Sequence, residues 1–195
     1  LFKTIKLLDY EDTLIFFCVN LLDRCTLLLD DNLDKIELYP LLFISLSIKI
    51  LDDLELLKIS VIKNSCKKKY SKKEIIYYEK EILNHLNYKL STPNLATYLY
   101  YYFDQLNIDE KTKKNILKLS KIILYDHRKN LFKKYNLALG LIIYNKNLKR
   151  EIFNIDFKYF YNETDIFTIY NYDLYLKKII DCLSFIKESK KKFIK

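Results

Sequence analysis

Apolar residues recur at three- and four-residue intervals along most of the chain, which is the spacing of one helix face rather than the alternation of a strand. From Asp12 to Leu29 the apolar positions are Ile15, Val19, Leu22 and then Cys25 or Leu29, with Asp12 placed to cap the first turn. Past the acidic link Asp30–Asp34, the stretch Leu38–Leu51 is hydrophobic nearly all round, so it must be covered on most sides and should be the central helix of a first unit. Pro40 lies near its start, where a missing N–H is tolerated. A short helix is expected from about Asp53 to Asn64. Ser71-Lys72-Lys73-Glu74 then reads as a capping box, opening a helix to about Leu86 with Ile75, Tyr78, Ile82 and Leu86 on one face.

Asn87–Leu90 reads as extended, and Thr92-Pro93 reads as an N-cap followed by proline at the first helical position. That start marks the best domain boundary, giving domains at 1–91 and 92–195. Beyond it the pattern predicts helices at about Pro93–Leu106, Glu110–His127, Leu131–Asn145 and Tyr172–Lys192, with weaker helical stretches between Leu148 and Ile169. Asp109 and Asn130 sit where caps are wanted. Ala138 and Gly140 leave a thin strip on an otherwise apolar helix, which a neighbour could approach closely. That helix should be the centre of a second unit.

Composition supports the pattern. Half of the 195 residues are apolar and 30% are charged, enough to bury a core. One Gly and two Pro leave few hairpin turns. The expected class is all-α. Four cysteines, Cys18, Cys25, Cys66 and Cys182, form no C-x-x-C and read as reduced thiols in an intracellular protein of the nucleus or cytoplasm. No apolar run reaches a membrane span. The chain contains no Met, which suggests a fragment of a longer product.

The net charge of +9 comes from lysines scattered along a chain whose arginines are Arg24, Arg128 and Arg150. Clusters at Lys67–Lys69 and Lys190–Lys192 read as solvated faces or ends. No phosphate-cradling glycine loop and no metal-protease motif occurs, and no cofactor is expected. His85 and His127 stand apart near predicted helix ends, where the dipole favours a cation. Asp30-Asp31 and Asp52-Asp53 fall in links, where capping and solubility explain them.

The order of certain segments resembles the cyclin family. Thr13-Leu14 through Val19-Asn20-Leu21-Leu22-Asp23-Arg24 is similar to the second helix of a cyclin box, which ends in an aliphatic-aliphatic-Asp-Arg run. Leu41–Leu51 is similar to the third, with Ser47-Ile48-Lys49 where cyclins carry Ala-Ser-Lys. The run from Tyr70-Ser71-Lys72 through Glu79, Leu83, Tyr88 and Leu90 to Pro93 resembles the fifth helix and exit of mitotic-type cyclins: an aromatic-Ser/Thr-Lys, a Glu, a Leu, an aromatic, a Leu and a Pro opening the second box.

The resemblance implies two tandem cyclin-box domains of about five helices each. The first helix of box 1 would be largely absent, with Leu1–Leu8 its only trace. It implies a non-catalytic regulatory subunit that binds and activates a cyclin-dependent Ser/Thr kinase in cell-cycle control by positioning the kinase C-helix. Lys49 and Glu79 would bond the backbone before that helix, with Ile50, Leu83, Tyr88 and Leu90 as the apolar contact around them. Ile36 and Glu37 would remain of a substrate-docking patch, making kinase substrates a further partner class. Asp23 would lack the arginine it pairs with in the family.

The chain departs from the family where acids follow Lys49 one position late, at Asp52-Asp53, and where bulky Leu42 and Phe43 replace alanines. Nucleic acid and membrane are not the expected partners. The competing readings are a cyclin-box scaffold of the transcription-factor-IIB kind, binding nucleic acid or transcription machinery with positive charge gathered on one face, and a box that binds a non-kinase partner.

Overall fold

The computed structural model describes residues 12–30, 35–51, 59–146 and 172–193, and among these the chain is all-helical with no strand. It divides into two compact units, Leu1–Asn94 and Leu95–Lys195. The expectations for Leu1–Leu8, for the Asp52-Asp53 link and the start of the short helix after it, and for the stretches between Leu148 and Ile169 lie outside the described residues.

The first unit contains α1 (Asp12–Arg24), α2 (Thr26–Asp30), α3 (Leu38–Leu51), α4 (Ile59–Ser65) and α5 (Lys72–His85). The single helix expected over Asp12–Leu29 is interrupted at Cys25, because the Thr26 hydroxyl donates to the Asp23 carbonyl at 3.0 Å and competes for the acceptors of α1's last turn. α3 is the centre of this unit: ten of its fourteen residues are buried, so no side remains for a polar stripe. Pro40 is its third residue, within the turn that needs no N–H partner.

Leu42 and Phe43 are fully buried, and Phe43 lies against Tyr39 with ring centroids 6.3 Å apart. α5 starts as the sequence predicts. Ser71 Oγ accepts from the Glu74 N–H at 3.2 Å while Glu74 accepts from the Ser71 N–H at 2.7 Å, completing a capping box. Ile75 and Ile82 carry α5 into the core.

The exit of α5 differs from the extended segment expected. The Asn87 N–H donates to the Asn84 carbonyl and the Tyr88 N–H to the Leu83 carbonyl, both at 2.9 Å. These are the two bonds of a Schellman cap. Asn87 (φ 49°) and Tyr88 (φ 57°) both take left-handed backbone.

Thr92 does not cap the next helix either. Its hydroxyl oxygen accepts from Asn20 Nδ2 at 2.8 Å and from Arg24 Nη1 at 3.3 Å, and α6 begins three residues later.

The second unit comprises α6 (Leu95–Gln105), α7 (Glu110–Leu124), a 3-10 helix (His127–Leu131), α8 (Lys134–Lys146) and α9 (Tyr172–Phe193). α8 is packed by α6, α7 and α9, the central position its apolar pattern predicts. Gly140 is the point of closest approach: a Cβ there would lie 3.2 Å from Cys182 Cβ and 3.3 Å from Ile186 Cδ1 of α9. α6 ends in a second Schellman cap, with Ile108 N–H to Phe103 carbonyl at 3.0 Å and Asn107 at φ 44°. Asp109 then caps α7, accepting from the Thr112 N–H at 2.9 Å. Asn130 falls inside the 3-10 helix rather than capping α8, and His127 opens that helix instead of ending α7.

Candidate partner-docking site

Lys49 stands in the last turn of α3 and Glu79 in the middle of α5, thirty residues apart, and Lys49 Nζ donates to Glu79 Oε1. The side chains are 38% and 19% exposed, so the pair sits at the rim of the first unit's core within reach of solvent. An ammonium has three donors and a carboxylate about four lone-pair sites, so one mutual bond leaves both groups able to bind further. Two such groups side by side can accept an N–H and donate to a carbonyl of an approaching backbone.

The apolar residues expected around the pair differ in exposure. Ile50 is half-buried, while Leu83 and Leu90 are half-buried and packed against the core. Tyr88 is 62% exposed, held outward on its left-handed backbone. Ile36 is 60% exposed and Glu37 is exposed, but Glu37 Oε2 accepts from the Lys67 N–H at 3.0 Å. Asp23 is half-buried near the end of α1.

Arg24, which the sequence shows only as the end of the Asp-Arg run, and His85, expected only to complement a helix end, hold this site in place. Arg24 Nη2 donates to the Lys89 carbonyl at 2.6 Å, and Nη1 lies 3.5 Å from the Leu90 carbonyl. His85 Nε2 lies 3.3 Å from the Arg24 carbonyl oxygen. Arg24 therefore ties the segment carrying Tyr88 and Leu90 to the end of α1. An arginine closing an apolar helix is the signal that could have pointed to it, since its five donors in a fixed fork suit backbone carbonyls. At the other end of α3, Tyr39 donates its hydroxyl to Glu81 Oε2 of α5 at 3.0 Å, a second polar link between the two helices.

The second unit holds a separate polar cluster. Asp126 is buried and accepts from Arg128 Nη2 at 2.8 Å, from Arg128 Nε at 3.1 Å, from the Arg128 N–H at 3.1 Å and from the Ser189 hydroxyl at 3.0 Å. The Arg128 guanidinium holds its carboxyl well below the usual carboxylate range, with the backbone and Ser189 bonds acting the same way against the penalty of burial. Arg128 also donates to Glu188 at 2.8 Å, so the cluster fastens the 3-10 helix to α9.

Among the described residues no group of three or more His, Cys, Asp or Glu could hold a metal ion, and no helix is long and apolar enough to cross a membrane. No protein-family model matches the chain, and no curated protein matches its sequence.

Proposed function

We propose that the chain is a tandem cyclin-box regulatory subunit that docks on a cyclin-dependent Ser/Thr protein kinase and activates it without performing chemistry itself. The observation that carries the reading is the pairing of Lys49 with Glu79 at the rim between α3 and α5. Pairs of exposed opposite charges contribute little to stability, at most about 1 kcal/mol. A role in recognition gives this pair a purpose that stability does not.

In this reading Lys49 donates to a carbonyl and Glu79 accepts an N–H from the kinase backbone just before its C-helix. Ile50, Leu83, Tyr88 and Leu90 cover the apolar side of that helix. Docking turns the C-helix inward and completes the Lys–Glu ion pair that orients ATP phosphates. Ile36 and Glu37 would sit at the edge used by kinase substrates.

The test is to combine the purified protein with candidate cyclin-dependent kinases and follow phosphorylation of a generic substrate. Wild type should activate at least one kinase. Lys49→Ala and Glu79→Ala should each lower activation at least about tenfold, as truncating one partner of a buried interface charge pair does, with their circular dichroism spectra unchanged. Absence of both complex and activation with every kinase tried would sink the proposal.

A further inference from the structure

Wound onto α7, four lysines that look scattered in the sequence fall into line. Lys111, Lys114, Lys118 and Lys121 occupy an arc of about 80° on the helix. The buried residues Ile116, Leu119, Ser120 and Ile123 lie on the opposite side. The row is about 15 Å long, with a charge every ~5 Å.

Tyr125, the C-cap residue, keeps helical backbone at φ −76° and continues the same line, 54% exposed. The helix's one acid, Glu110, lies on the flank and accepts from Lys113 Nζ at 2.8 Å. Among the described residues no carboxylate is within ion-pair distance of Lys111, Lys114 or Lys118. α5 offers the contrast, since its surface mixes Lys72, Lys73 and Lys80 with Glu74 and Glu79.

A one-signed row costs self-repulsion that a mixed surface avoids, so it calls for a polyanion. Ammonium groups on flexible stems along one line can track a phosphodiester backbone, and a ring at the end of the line offers a face for stacking on a base, which an acidic peptide does not supply. We propose that the outward face of α7 is a docking surface for single-stranded nucleic acid: Lys111, Lys114, Lys118 and Lys121 follow the phosphodiester backbone, and Tyr125 stacks on a base. The proposal concerns the second unit alone and stands or falls independently of kinase activation.

The test is fluorescence anisotropy of the full 195-residue chain with a labelled twelve-nucleotide single strand. Wild type should bind in the micromolar range at 50 mM salt and weaken about 50-fold by 200 mM, as four phosphate contacts on a single strand require. Lys114→Glu with Lys118→Glu should weaken binding at least about tenfold and flatten the salt dependence by about half. Lys72→Glu with Lys73→Glu changes net charge equally on exposed α5 positions and should stay within about threefold of wild type. Tyr125→Ala should cost roughly tenfold with the salt slope unchanged.

Undetectable binding at 50 mM salt, equal losses for the two charge-matched pairs, equally tight binding of a duplex, or equal competition by poly-glutamate would each overturn the proposal. Circular dichroism of each variant separates lost contact from lost fold.

Discussion

Asp126 gathers its bonds from one arginine, one backbone N–H and one serine, all of which favour its charged form. Its folded-state pKa is therefore depressed below the unfolded value of 3.8, so the folded state binds fewer protons. The stabilisation is fully present above that value and is lost as pH falls below about 4 toward the folded-state pKa. Asp126→Asn should cost about 2–3 kcal/mol at pH 7, and the gap from wild type should narrow at pH 3. Urea unfolding followed by circular dichroism at both pH values reads this, and an unchanged gap would show that charge is not what Asp126 contributes.

Tyr88 presents a different residue-scale trade. A bulky side chain on left-handed backbone costs about 1 kcal/mol, and asparagine tolerates that conformation. Tyr88→Asn should raise stability by about 0.5–1 kcal/mol. In the kinase assay the same variant should weaken activation, because the exposed ring would be lost from the proposed docking face. A variant that is both more stable and fully active would remove Tyr88 from that face.

At the scale of elements, the meeting of α8 and α9 depends on the missing side chain of Gly140. Ile186 Cδ1 is the far end of a flexible side chain and can move, but Cys182 Cβ is fixed to the α9 backbone. Gly140→Ala gains about 1 kcal/mol of helix propensity and loses about 2 to overpacking, for a net loss of about 1 kcal/mol. Gly140→Val adds two further methyl groups and should cost at least about 3 kcal/mol. Thermal melts of both variants check the order, and a Val variant as stable as the Ala variant would mean that α9 is free to shift.

The helices themselves were legible because apolar period and capping chemistry act locally: α3 and the Ser71–Glu74 box stand where the pattern places them. The links were less so. Asn87-Tyr88 contains no glycine to announce left-handed backbone, and Thr92 answers to Asn20 and Arg24 more than seventy and nearly seventy positions earlier, which no local rule reveals. The pairing of Lys49 with Glu79 was legible only through a family resemblance. The lysine row on α7 was hidden because periodicity was followed in the apolar residues and not in the charges.

For the whole molecule, the two proposed surfaces lie in different units, Lys49 and Glu79 in the first and the α7 lysines in the second. Their effects should separate. Lys114→Glu with Lys118→Glu should leave kinase activation within about twofold of wild type, and Lys49→Ala should leave single-strand affinity equally unchanged, since changes at independent sites that share no partner do not couple. Cross-titration of both variants in both assays reads the separation. Loss of both activities in either variant would mean that one surface serves both partners.

All four cysteines are buried, with Cys18, Cys25 and Cys66 in the first unit and Cys182 in the second. Burial pushes the thiols of Cys18 and Cys182 up to about 12 and that of Cys25 up to about 11. A thiol so protonated and so enclosed reacts only when its surroundings open. The native chain thus carries its own clocks for breathing: the labelling rate at Cys182 times the opening of Leu95–Lys195, and Cys18 and Cys25 time Leu1–Asn94, with no probe engineered into either.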